Sequence, residues 1–290
     1  MTTSHQIVPR EKLDFDLKGD IPKYWCGGDI FKSRYFDAMS TLFPEGERFF
    51  ISCVRDYRDQ VTDPKLAQEI KDFIRQEGQH GIVHTQYNDR LKAQGIDVDW
   101  LEGMLKTLFF SIARKFAPKP QTLAETAATE HLTAIMSECL FTNKRVMGDA
   151  DARVRAMYAW HAIEEVEHKS VAFDVMQKIA KVGYLRRVFA LLAVTMGFNL
   201  YTLLVTGYIL RCDGLSLWQR AKIMTQGIWW LYKPGGLYMP VVKQYFEYFK
   251  PSFHPWQTEH LKSYEAWLDT YERTGNPILA GEVLHAAAAD

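Results

Sequence analysis

Two short segments, Glu77-Gly78-Gln79-His80 and Glu165-Val166-Glu167-His168, repeat one spacing, a carboxylate followed three residues later by an imidazole. On a helix that spacing puts both groups on one face, about 60° apart. Each pair interrupts an apolar stripe. Leu66, Ile70, Phe73, Glu77, His80, His84, Tyr87 and Leu91 recur at intervals of four and three. So do Val154, Tyr158, His161, Glu165, His168, Ala172, Val175 and Ile179. A charge inside a helical bundle is costly unless it is paired or bound to a metal. A solvated helix face would not carry Leu, Ile, Phe, Val and Tyr above and below the charged band. Two such bands facing one core therefore predict a metal centre.

The elements that must position these groups follow from the turns. From about residue 45 to 178 the sequence reads as four helices in two hairpins, with no period-two stretch of a half-buried strand. The first hairpin turns at Thr62-Asp63-Pro64 and the second at Gly148-Asp149-Ala150-Asp151. Pro64 suits a first helical turn and Asp151 an N-cap. A long connection, about 95 to 120, joins them around Gly95, Gly103, Pro118 and Pro120. In an antiparallel pair, residues equidistant from the turn lie level. Glu47 is thus level with Glu77 across position 62, and Glu130 with Glu165 across Gly148. One Glu from each of two helices and Glu-x-x-His from each of the other two make the carboxylate-bridged dinuclear site of ferritin-like bundles.

The expected fold is all-α: a ferritin-like four-helix metal-binding bundle over 35–180, preceded by an N-terminal arm over 1–34. A hydrophobic, aromatic C-terminal helical region over 181–290 packs on it, with a polar helix near 258–273.

The order Glu47, Glu77-x-x-His80, Glu130, Glu165-x-x-His168 resembles the ferritin-like di-iron carboxylate superfamily. The fuller segments RQEGQHGIVH, TEHLTA, WHAIEEVEHKSVAFDV and FHPW resemble, over most of the chain, a bacterial family catalogued as predicted metal-dependent hydrolases. The resemblance implies Glu47, Glu77, His80, Glu130, Glu165 and His168 as metal ligands. An extra pair, His84 and His161, departs from that six-ligand set and faces the same core. It is equally consistent with coordination and with donation to a ligand carboxylate. Glu138, two turns from Glu130, joins His84 and His161 as a candidate proton acceptor. Glu45 and Glu125 are weaker rivals, His131 reads as structural, and Tyr57 and Tyr87 as packing residues. In the last helix Glu164 sits about 70° from the stripe's centre and Glu167 faces roughly away. Replacing Glu167 is therefore expected to leave metal content unchanged.

Carboxylate-rich ligation without thiolates suits two iron ions, with manganese as the alternative. The first expectation for function is an O2-dependent oxidase or oxygenase acting on a small lipophilic substrate. The alternatives are a metal-dependent hydrolase using a water activated by two metals and a non-catalytic iron-binding protein or ferroxidase. Composition adds limits. With 35 basic and 35 acidic residues among 290, no global field recruits nucleic acid. Cys26, Cys53, Cys139 and Cys212 show no CxxC spacing and read as buried thiols of a reducing compartment. An N-terminus without an apolar core predicts a cytoplasmic location. Residues 188–210 carry no charge over a length that could span a bilayer. A helix packed on the bundle through Thr195, Asn199, Thr202 and Thr206 is the first expectation for them. Peripheral contact with the inner membrane, aided by Trp229, Trp230, Tyr232 and Tyr238 beside Lys233, is the second. A homodimer is left open.

Overall fold

The computed structural model describes residues 6–141, 144–257 and 264–288; part of the polar helix expected near 258–273 lies outside them. The described residues are helical, without a strand; one isolated bridge pairs Cys26 with Ala150. The helices that matter are α1 (Ile30–Ser40), α2 (Phe43–Arg55), α3 (Pro64–Ala93), α4 (Val98–Lys106), α5 (Lys119–Phe141), α6 (Ala152–His168), α7 (Tyr184–Cys212), α8 (Leu217–Tyr232), α9 (Tyr264–Thr274) and α10 (Pro277–Ala286).

Local chemistry sets the ends of these helices. Asp63 caps α3 by accepting from Lys65 N, with Pro64 in the first position where its missing N–H costs nothing. Asp151 caps α6 by accepting from Arg153 N at 3.0 Å. The crossover leaves α3 through Gly95 at φ +83°, a backbone that favours glycine. It forms α4 and runs on through a π-helical turn over 107–113.

α2 packs along α3 and α5 along α6, and the two hairpins meet through α2 with α5 and α3 with α6. Every residue of the α3 stripe is buried, as is the α6 stripe from Val154 to Val175. Two boundaries differ from expectation. The irregular N-terminal stretch ends at Asp29, whose side chain accepts from Lys32 N and starts α1 inside the expected arm. α6 stops at His168, and the chain turns at Lys169 and Ser170 before a further helical piece over 171–179 that ends in a π turn. No Gly or Pro announces that break.

The C-terminal region packs on the bundle: α7 lies on α1 and α5, and α10 on α6. The α10 contact depends on Gly281, where a Cβ would meet Ala156 Cα at 2.7 Å. α7 is less covered than expected. Thr202 and Thr206 are buried, but Leu185 is 80% and Met196 69% exposed, on an outer row with Phe189, Leu192, Leu200 and Leu204. The helix is long and apolar enough to cross a membrane. The cysteines are free, and Cys212 is exposed rather than buried.

Candidate metal centre

The two stripes and the two opposed glutamates converge on one buried space. His168 Nε2 stands 3.0 Å from Glu77 Oε1, 3.2 Å from Glu130 Oε2 and 3.6 Å from Glu165 Oε2. His80 Nδ1 stands 4.0 Å from Glu77 Oε1 and 3.9 Å from Glu165 Oε1. His161 Nε2 lies 2.9 Å from Glu165 Oε1 and 4.0 Å from Glu47 Oε1. Three groups each bring their donor atoms within 4.8 Å of one another: Glu77, Glu130 and His168; Glu77, His80 and Glu165; and Glu47, His80 and His161. Glu77 belongs to two of them, His80 to two.

The fit to metal can be tested on the donors themselves. Both carboxylate oxygens of Glu47, Glu77 and Glu130, His80 Nδ1 and His168 Nε2 are buried and make no hydrogen bond of good geometry among the described residues. Native proteins rarely leave such atoms unmatched. Eight of them aimed at one space, with charge facing charge, fit cations and not a hydrogen-bonded core. Burial and the neighbouring carboxylates push Glu47 and Glu77 well above the usual carboxylate range and Glu130 up to about 7. Burial would raise Glu165 too, but the facing imidazoles of His161 and His168 hold it well below that range. Burial would lower His168, yet Glu130, Glu165 and Glu77 raise it. His80 is pushed well below the ordinary imidazole value by burial and His161.

Each histidine is oriented by its other nitrogen. His80 Nε2 faces Glu164 Oε2 at 3.2 Å, which leaves Nδ1 toward the centre. Gln76 Nε2 donates to Glu167 Oε2 at 2.7 Å. Its Oε1 is then free to accept from His168 Nδ1 at 2.8 Å, leaving Nε2 toward the centre. Glu164 and Glu167 are themselves held by Arg10, through Nη1 at 3.1 Å to each and Nη2 at 2.8 Å to Glu167. Arg10 N, Val8 N and Tyr264 Oη add further bonds. These outer partners are absent from the sequence reading. Glu164 and Glu167 lie off the stripe, and the arm and α9 that cover them show no periodicity that links them to α6.

Of the expected site residues, the structure brings Glu47, Glu77, His80, Glu130, Glu165, His168 and His161 together. His84 stands behind them. Its Nε2 is 2.7 Å from His161 Nδ1 and its Nδ1 is 2.9 Å from Ser40 Oγ, so neither nitrogen points into a donor group. Ser40 Oγ donates to Asn88 Oδ1, completing the chain. Glu138 is not in the centre: its Oε2 accepts from Gln244 Nε2. His131 is buried against Tyr248 and Phe253. Tyr87 is buried and donates to Asp37.

A family model described as a predicted metal-dependent hydrolase matches residues 9–259. The chain belongs to that family. No curated protein and no solved structure matches it. The helical fold, the buried acidic and histidine groups and the match together make a metal-dependent member of this family the coarse identity of the molecule.

Proposed function

We propose that this member of the predicted metal-dependent hydrolases holds two metal ions and directs a water at the scissile group of a small lipophilic substrate. The observation that carries the reading is the direction of the hydrogen-bond chain behind His161. Ser40 donates to Asn88 and so accepts from His84 Nδ1. Burial and His161 keep His84 neutral, so its Nε2 accepts from His161 Nδ1. That fixes His161 Nδ1 as a donor and leaves Nε2, 2.9 Å from Glu165 Oε1, as the nitrogen that can exchange a proton with the centre.

Glu77, Glu130 and His168 would hold one ion, and Glu77, His80 and Glu165 the other, with Glu47 completing the second. Such ions supply a water of lowered pKa and polarise the scissile group. His161 Nε2 takes the proton released there, and His84 holds the tautomer that makes it an acceptor. Phe43 lies against both rings, with centroids 4.5 Å from His84 and 4.8 Å from His161, and keeps bulk water off the pair.

The donor set also favours a second reading, an O2-dependent oxidase on iron, since it lacks thiolate and is rich in carboxylate. The family match supports hydrolysis first. To separate them, the metal-free protein is loaded anaerobically with Fe(II), Mn(II) or Zn(II) and offered p-nitrophenyl esters. Ester turnover that needs metal but not air is the expected result. O2 uptake by the ferrous form without ester turnover would reverse the order.

Peripheral contact with a bilayer is part of the proposal. Its support is the exposed outer row of α7, from Leu185 to Leu204, with exposed Lys181, Arg186 and Arg211 placed for acidic headgroups.

A further inference from the structure

A cavity of about 290 Å³ lies between α5, α7 and the segment 232–246, away from the metal centre. Ile135, Met136, Phe198, Tyr238, Val242 and Phe246 form much of its wall, and no ionisable acid or base other than tyrosine lines it. The polar groups that reach it are spent on one another. Tyr232 Oη donates to Asn199 Oδ1, Asn199 Nδ2 to Thr195 O, and Thr195 Oγ1 to Leu191 O. Tyr238 Oη pairs with Tyr35 Oη. Tyr245 Oη pairs with Thr195 Oγ1 at 3.2 Å. A ligand here finds shape and apolar surface, with no charged group to recognise. The cavity reaches the surface beside Phe246, which is 61% exposed, and Met239, which is 40% exposed.

A second, narrow space of about 20 Å³ is lined by Thr133, His161 and Glu165 together with Met39, Phe43 and Met136. Met136 is in both walls. An unbranched thioether is the residue best able to swing between rotamers at little cost.

We infer that the larger cavity binds the unbranched apolar chain of the substrate and that Met136 is the movable partition between this chain pocket and the metal centre. At roughly 30 Å³ per water-sized group, the cavity holds on the order of ten methylenes. The inference rests on the hydrolytic reading only for what stands at the end of the chain, so binding and turnover are tested apart.

A dansyl-labelled undecanoic acid is titrated into the metal-loaded protein and displaced by n-alcohols from hexanol to dodecanol. Displacement is expected to tighten about fourfold per methylene up to on the order of ten carbons and then level off. Val242→Trp, which fills the cavity, is expected to weaken probe binding at least tenfold with metal content unchanged. Met136→Ala is expected to move the plateau outward by about three carbons, the heavy atoms that side chain gives up. Displacement indifferent to chain length in the unaltered protein, or full probe binding by folded Val242→Trp, overturns the inference. Probe binding with this length dependence but no ester turnover leaves the chain pocket standing and removes the hydrolase reading. Ester turnover without probe binding does the reverse.

Discussion

Arg10 Nη2 lies 2.8 Å from Glu167 Oε1, with both side chains almost wholly buried, and this ion pair ties the N-terminal arm to α6, the helix of Glu165 and His168. The same guanidinium reaches Glu164 at 3.1 Å. Two carboxylates off the metal-facing stripe are thereby balanced by one cation. Removing one partner of a buried pair is far costlier than the pair's net contribution. Arg10→Met is expected to lower stability by about 3–5 kcal/mol in urea unfolding. An unchanged midpoint would show that the arm merely lies on the surface of α6.

The outer carboxylates also change what Glu167 is expected to do. Facing away from the centre, it looked dispensable for metal. The structure connects it to His168 through Gln76. Glu165→Ala should remove close to a full metal equivalent. Gln76→Ala and Glu167→Ala should keep two equivalents at saturation but weaken affinity about 10–100-fold in chelator competition. Wild-type affinity in both would mean that His168 is oriented by packing against Phe73 alone.

His84 and His161 separate coordination from proton transfer. His84→Phe should retain two metals per chain while kcat falls about 10²–10⁴-fold, with the acidic limb of the pH profile displaced. His161→Ala should behave alike, since His84 acts only through it. Loss of a metal equivalent on replacing His84 would make it a ligand and end the relay.

The metal-free protein should lose stability as pH rises above the ordinary imidazole range. Glu130, raised by burial and Glu165 to about 7, folds at no cost below the unfolded carboxylate value and carries a growing penalty as pH rises toward 7. Glu47 and Glu77, raised further, extend the loss to higher pH. His168, raised by the carboxylates around it, stabilises while protonated and loses that contribution in the same direction. Buried His80 and His84, lowered by burial, add stability as pH rises to the ordinary imidazole range and oppose this trend below it. Thermal unfolding of the chelated protein above that range, from about pH 7 to 9, should show a falling Tm, and added metal should stabilise most at the upper end. A Tm that climbs steadily with pH would contradict this.

If α7 meets a bilayer through its outer row, Leu185→Glu with Phe189→Glu should abolish co-sedimentation with vesicles containing anionic lipid. Secondary structure should be unaffected, because both side chains are exposed. Binding that survives the pair of charges would place the contact elsewhere.

The centre was legible in the sequence because its donors obey helical spacing and their stripes are otherwise apolar. Glu47 and Glu130, each a lone carboxylate, could be placed because hairpin turns fix the level of opposing residues. What periodicity could not supply is anything set by a segment without a period. Arg10 arrives on an irregular strand of chain, and Tyr264 on a helix far along the sequence; only tertiary structure puts both on Glu167. The exposure of α7 was hidden for a related reason. The row of Thr202 and Thr206 marked the covered side, but a run apolar all round does not say how much of the rest α1 and α5 leave open.

The hold of Arg10 and Tyr264 on Glu167 has a bearing on the order of events during synthesis. All four helices that carry the candidate ligands have left the ribosome once residue 168 is out, yet the carboxylates that orient His80 and His168 are not finished until residue 264 emerges nearly a hundred residues later. A nascent chain can thus gather the donors well before it can aim them. If the centre takes up metal, tight uptake would wait for the segment from residue 264 onward, whose tyrosine completes the bonds on Glu167.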